Sequence, residues 1–157
     1  MIGNLSEIEI DKLLKNEVVG RIGCSLDGKV YIVPISYAFE GNSIYAHTFE
    51  GLKVDAMRKN PEVCFEVDDI KNMGNWQSVI AWGTYEEIVD KEECKAALQL
   101  LLNRHLPVIS SITTHLGKNW PFTSNDLDNI EGIIFRIKLS TRTGKYETSM
   151  ESPFVHG

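Results

Sequence analysis

RIGCSLDGKVYIVPISYAFEGNSIYAHTFEGLKVDAMRKNPEVCFEVD, from Arg21 to Asp68, decides the fold. Three apolar runs are split by two turn signals, Asp27-Gly28 and Gly41-Asn42. Asp-Gly between alternating residues is a strong hairpin signal, because a type I′ turn needs positive φ at both central positions. Val18 to Ser25 therefore reads as a strand, and Lys29 to Phe39 as its returning partner. Pro34 lies inside that second strand. A proline cannot donate to a ladder, so the strand is an edge there or carries a bulge. Ser43 to His47 forms a third strand. His47-Thr48-x-x-Gly51-x-Lys53 follows, where the strand gives way to a helix over Gly51 to Lys59. Asn60-Pro61 stops that helix.

Outward from this core the pattern continues. Ser6 with Glu9 three residues later fits a capping box, and Ile8, Ile10, Leu13 and Leu14 follow at mostly helical spacing. This predicts an N-terminal helix over about 6–16. Glu62 to Asp69 alternates, with Val63, Phe65 and Val67 on one face and Cys64 on the other. Trp76 to Val89 reads as a long strand or a bent pair, and Lys91 to Arg104 as a helix. Residues 105–129 are irregular, and loops this long in compact domains are often functional or mobile. Ile130 to Leu139 is a last strand, and the tail over about 146–157 has little core-forming pattern and is expected to fray. No repeat, low-complexity tract or linker divides the chain, so 1–157 is read as one domain. About six strands with tight connections favour a small antiparallel barrel, which removes exposed edges. An open sheet with helices on one face is the competing architecture.

The 157 residues suit one core, and 43% hydrophobic with 24% charged residues is ordinary for a globular protein. The net charge of −6 and the scattered basic residues argue against a nucleic-acid or anionic-membrane partner. Cys24, Cys64 and Cys94 make an odd count without CxxC, so neither a disulfide framework nor a structural zinc site is expected. Free thiols in a reducing cytosol are the plain reading. MIGNLSEIEI has no basic and apolar leader pattern, and no apolar run approaches the ~20 residues of a spanning helix.

A phosphate needs fixed donors and positive charge. A helix N-terminus offers free amides and the favourable end of the dipole. Gly51 lets an anion approach the backbone, Lys53 adds a point charge, and Thr48 adds a hydroxyl. A lysine in the first helical turn is locally unfavourable, so a bound anion would explain it. The pattern alone is loose, and a solvent-facing lysine also satisfies it. Val33-Pro34-Ile35-Ser36-Tyr37 offers backbone groups released from the ladder, with the Ser36 hydroxyl, to the polar edge of a planar ring. The alternative is that Pro34 only blunts an edge. Trp76, in Trp76-Gln77-Ser78-Val79, suits a ring cover, a subunit seam or core packing. Tyr146 after Thr143-Gly144-Lys145 reads as a further donor loop or as a surface turn. His47, His105, His115 and His156 have no ligand-like spacing, so no metal site is expected.

Taken in order, these segments resemble the pyridoxamine phosphate oxidase-like superfamily of FMN-binding split barrels, and most closely its nitroimidazole-resistance, nitroreductase-like branch. The resemblance spans about Val18 to Leu139. It rests on Gly20-Arg21-Ile22-Gly23, Val33-Pro34-Ile35-Ser36-Tyr37, Ile44-Tyr45-Ala46-His47-Thr48, Gly51-Leu52-Lys53, Asn60-Pro61-Glu62-Val63-Cys64-Phe65 and Trp76-Gln77-Ser78-Val79. It implies a mainly β fold, a six-stranded antiparallel split β-barrel with flanking helices, assembled as a homodimer with FMN at the subunit interface. It implies that Val33, Pro34, Ile35 and Ser36 contact the isoalloxazine ring. His47 and Thr48 would line the ribityl-phosphate side, and Gly51, Leu52 and Lys53 would hold the phosphate. Trp76, Gln77, Ser78 and Val79 would reach the flavin of the neighbouring subunit. The arginine-rich phosphate motif of the true oxidases is missing, which argues against oxidation of pyridoxamine phosphate itself.

The function so implied is a cytoplasmic flavin-dependent oxidoreductase. It would pass electrons from a reduced nicotinamide or similar small-molecule donor to a small planar acceptor such as a nitroaromatic. His47 is the one candidate proton donor near the ring, with phosphate-side or packing roles as alternatives. A non-catalytic flavin-binding or storage protein, a haem-binding relative with His47 or His115 as axial ligand, and a deazaflavin-coenzyme barrel are the other readings.

Overall fold

The computed structural model describes residues 1–104 and 131–149. Its elements in chain order are β1 (Ile2–Asn4), α1 (Glu7–Asn16), β2 (Val19–Leu26), β3 (Lys29–Ser36), β4 (Ala38–Glu40), β5 (Ser43–Thr48), α2 (Leu52–Lys59), β6 (Glu62–Asn72), β7 (Asn75–Glu87), α3 (Lys91–Leu102) and β8 (Ile133–Glu147). The described fold is mainly β with flanking helices, and its strands pair antiparallel.

The sheet runs in the order β3-β2-β6-β7-β8-β5-β4, with β1 paired to β8. Buried residues from its two halves share one core, with Ile35 of β3 and Ile44 of β5 in the same cluster. The sheet therefore curls around that core, and among the described residues its two end strands do not pair with each other, as in a split barrel. Ile10, Leu13 and Leu14 of α1 and Ala56 and Met57 of α2 complete the filling. A smaller cluster beneath α3 joins Ala97, Leu98 and Leu101 to Ile88 and Ile134.

Local chemistry accounts for the boundaries. Asp27 and Gly28 both take positive φ, 52° and 79°, and Leu26 pairs with Lys29 across the turn. Ser6 caps α1 with a reciprocal bond to Glu9. Pro34 lies on β3, a terminal strand of the sheet path, where a missing donor is tolerated.

The described residues form eight strands, two more than the sequence suggests. The strand expected over Lys29 to Phe39 breaks at Tyr37. Its backbone N–H still donates to Val18 O at 2.9 Å, in line with the β2–β3 register. Its ring is fully buried, and its hydroxyl donates to Leu14 O at 2.7 Å. A buried hydroxyl without a partner would cost about 1–3 kcal/mol, so this bond outweighs strand continuity. The three-residue β1 was not anticipated.

The last strand is also longer than expected. Tyr146 and Glu147, placed in a fraying tail by the sequence reading, are paired on both sides, to Gly3 and Ile2 of β1 and to Gln77 and Trp76 of β7. β8 can run this far because it absorbs a register shift opposite Trp82 and Gly83. Gly83 permits the close approach there, since a Cβ on it would lie 2.3 Å from Lys138 O. The irregular stretch 105–129 and the tail from 150 lie outside the described residues.

Candidate functional site

The open end of α2 is the most distinctive polar feature near the expected phosphate loop. α1 and α3 are closed by side-chain caps from Ser6 and Asp90, whereas Gly51 begins α2 with no side-chain cap. Its first-turn amides are thus left for another acceptor. Gly51 has an extended φ of 170°, which any residue adopts. A Cβ there would meet no atom within 4 Å, so the space over the helix end is open.

Lys53 stands in that first turn, half-buried. Burial pushes its pKa down, and the neighbouring Cys24 partly opposes the shift. Among the described residues no carboxylate forms an ion pair with it. By contrast Arg21, Arg58, Arg136 and Arg142 all reach carboxylates. A desolvated, uncompensated cation beside free helical amides is a donor set suited to a phosphate.

The loop before it is held firmly. Arg58 donates from both terminal nitrogens to Glu50, at 2.8 Å each, and from Nε to Glu87 at 2.5 Å. Tyr85 donates to the same Glu87 oxygen at 2.9 Å. The Arg58 contacts hold the Glu87 carboxyl below its usual range. This staple joins the Gly51 loop to α2 and β7. Sequence spacing could not reveal it, because Glu50 lies outside the helix that carries Arg58.

His47 and Thr48 end β5 opposite Ile134 and Ile133. His47 Nε2 donates to Glu131 O at 2.5 Å, and its ring stands edge-on to Phe49. Ligation of an iron through that nitrogen would require giving up the Glu131 bond. Gly132 closes over the pair with φ of 88°. A Cβ on it would lie 2.6 Å from Thr48 O and 2.8 Å from His47 Nε2. The glycine just before a strand was the available signal for this closure.

The Val33–Ser36 segment divides by face. Ile35 is buried in the core and Val33 is half-buried against it, while Pro34 faces outward. Among the described residues β3 has a strand neighbour on one side only, so its other edge can serve a ligand. Lys53 is close enough to Cys24 to affect its titration, and Cys24 pairs with Tyr31 on β3. The lysine and the ring-contact strand thus meet on one side of the barrel. Ser36 is already engaged, accepting from Arg104 Nη1. Arg104 also donates to Tyr37 O at 2.9 Å and Leu101 O at 2.7 Å.

The Trp76 segment lies elsewhere. Trp76 is opposite Glu147 on β8 and donates to its carboxylate at 3.0 Å, whereas His47 is opposite Ile134. These positions are separated along β8 by roughly 40 Å at ~3.3 Å per residue. Trp76, Gln77 and Ser78 are half-buried, but Val79 is sealed in the core. The expected contact from Val79 therefore has no accessible side chain to make it. Tyr146, at the same end, directs its hydroxyl to Met1 Sδ at 3.7 Å.

Cys24 is buried and Cys64 and Cys94 are half-buried, all as free thiols. The described residues contain no cluster of His, Cys, Asp or Glu able to hold a metal ion. None of their helices is long and apolar enough to cross a membrane.

Known proteins share the family and the fold of this chain. A FAD-binding protein from Mesorhizobium loti is 29% identical with a TM-score of 0.72, the match covering 94% of this chain and 99% of that one. A protein from Bacteroides thetaiotaomicron named for 5-nitroimidazole antibiotic resistance shares the fold, with 19% identity and a TM-score of 0.70 over 93% of this chain and 87% of that one. An uncharacterized protein of Rhizobium meliloti (strain 1021) is 37% identical over 76 residues, which span 48% of this chain and half the length of that relative. The family model described as pyridoxamine 5'-phosphate oxidase matches residues 6–145. The chain belongs to the pyridoxamine 5'-phosphate oxidase family.

Proposed function

We propose that the chain binds FMN and passes electrons from a reduced nicotinamide or similar donor to a small planar acceptor such as a nitroaromatic. The observation that carries this reading is Lys53, desolvated and without a carboxylate partner among the described residues, beside the uncapped start of α2. Lys53 and the first amides of α2 hold the phosphate, and Gly51 leaves room for its approach. The free edge of β3 near Val33 and Pro34 meets the polar rim of the ring. Ser36, whose oxygen accepts from Arg104, would give its own hydroxyl proton to the ring. His47, whose Nε2 is committed to Glu131, lines the loop side. FMN would supply the redox chemistry, while the protein orients it and shapes the field around it.

A homodimer supports the geometry better than a lone chain. In this reading Trp76, Gln77 and Ser78, at the Glu147 end of β8, serve the site of the second copy rather than the site at the start of α2 of their own chain. The exposed β3 residues Val30 and Ile32 and the nearby Trp82, 72%, 70% and 43% exposed, offer apolar surface for such a contact. The relative named FAD-binding makes FAD the competing cofactor, since FAD presents the same ring and a first phosphate.

Turnover is tested by mixing the flavin-loaded protein with reduced nicotinamide and then with a nitroaromatic. Bleaching followed by return of the flavin colour supports the oxidoreductase. A flavin that stays oxidised with every donor favours storage or sensing.

A further inference from the structure

Arg104 stands apart from the other described arginines. Its acceptors among the described residues are neutral oxygens, those of Leu101, Ser36 and Tyr37. Burial brings its pKa down to about 10. Among the described residues no acceptor lies within reach of Nη2. The side chain lines a cavity of about 270 Å³ between the end of α1, the Tyr37 break and the end of α3. Its walls include Lys15, Glu17, Val18, Phe39 and Leu100. The cavity is small for a ligand site, at about the lower limit of the usual 300–1,000 Å³ range.

The electrostatics decide what kind of molecule suits it. Lys15 and Arg104 bring two positive charges and Glu17 one negative charge. The C-terminal ends of α1 and α3 also face this region, each contributing about −0.5 of a charge. The cavity is thus close to neutral. A carboxylate or phosphate would meet two unfavourable helix ends, whereas a neutral molecule would not. Arg104 Nη2 is available to donate, with no acceptor among the described residues, and Val18, Phe39 and Leu100 offer apolar walls.

We propose that this cavity binds a small neutral molecule carrying a strong acceptor oxygen, such as a nitro or carbonyl group, with that oxygen on Arg104 and the apolar body against Val18, Phe39 and Leu100. Arg104 also holds Ser36, a residue assigned to the flavin ring. The electron acceptor is therefore the occupant that fits, a clause that rests on the flavin reading. Binding in the cavity does not rest on it.

The test uses the full-length protein labelled with ¹⁵N and titrated with nitrobenzene, benzoate and toluene, followed by amide shifts. Nitrobenzene is expected to shift Asn16, Ala38, Phe39 and Asn103 saturably. It should bind about tenfold more tightly than toluene, the effect of one hydrogen bond to a charged donor. Benzoate should bind more weakly than nitrobenzene. Arg104→Met should remove the preference over toluene. Arg104 also bonds Leu101 O at the end of α3, so if this variant fails to fold, the three-ligand comparison on the unaltered protein decides. Equal binding of toluene and nitrobenzene, tighter binding of benzoate, or shifts confined to other residues would overturn the proposal. Failure to bind FMN, with nitrobenzene binding intact, would remove only the electron-acceptor clause.

Discussion

Arg58 grips Glu50 with both terminal nitrogens, each 2.8 Å from a carboxylate oxygen. Glu50 directly precedes Gly51, so its charge would repel a phosphate at the α2 terminus unless it were neutralised. On the proposed function, Arg58 therefore protects an anion site that it does not itself form. Arg58→Ala should weaken FMN binding by about fivefold, the scale of an exposed ion pair. The double variant Arg58→Ala with Glu50→Gln should recover most of that loss, because the uncompensated charge is gone. A fluorescence titration of FMN checks both. No recovery in the double variant would mean that Arg58 acts through loop structure alone.

Lys53→Ala should weaken FMN binding by about 10- to 100-fold, the range for a hydrogen bond to a charged group. The fold should be little affected, since the change removes a desolvated cation without a carboxylate partner among the described residues. Lys91→Ala, at the exposed start of α3, is the control and should bind FMN normally. Equal affinities in the two variants would exclude Lys53 as the phosphate ligand.

Trp76 and Lys53 offer a test of the shared site. Trp76→Ala and Lys53→Ala chains should each retain little FMN when purified alone. Refolded together in equal amounts, half of randomly paired dimers would be hybrids, each with one intact site. The mixture should then retain FMN in about a quarter of its sites. Retention no better than that of the separate variants would show that one chain supplies the whole site.

Glu66 predicts a pH dependence. Its carboxylate and that of Asp68 both approach Arg21 Nη1, at 3.2 and 3.1 Å. Burial, followed by the hydrogen bond with Asp68, raises the Glu66 pKa to about 7 from 4.5. A carboxyl raised on folding favours the folded state while protonated. Its contribution is therefore full below 4.5 and is lost as pH rises through about 7. Urea midpoints between these values should fall more steeply with pH in the unaltered protein than in Glu66→Gln. Parallel slopes would remove Glu66 as the cause.

Much of the fold was legible wherever a local rule acts alone. The Asp27-Gly28 turn, the Ser6–Glu9 cap, the Pro61 stop and the placement of Pro34 on a terminal strand each follow from backbone chemistry within a few residues. The break at Tyr37 was not legible, because it depends on Leu14, which only the folded chain brings near. The full length of β8 was hidden for the same reason, since polar Lys145, Tyr146 and Glu147 become a strand only through their neighbours on β1 and β7. In the candidate site, Gly51 and Lys53 stood out by type and spacing. Arg58, Glu87 and Arg104 did not, because their partners come from distant elements.

The central claim is that the α2 terminus holds the phosphate of a flavin mononucleotide. Its most direct test is the visible absorption spectrum of the purified, unaltered protein after addition of FMN and exhaustive dialysis, with FAD and haem as parallel arms. Paired flavin bands should survive dialysis with FMN. A protein that comes through colourless with FMN, or that keeps only FAD or a Soret band from haem, would contradict the claim.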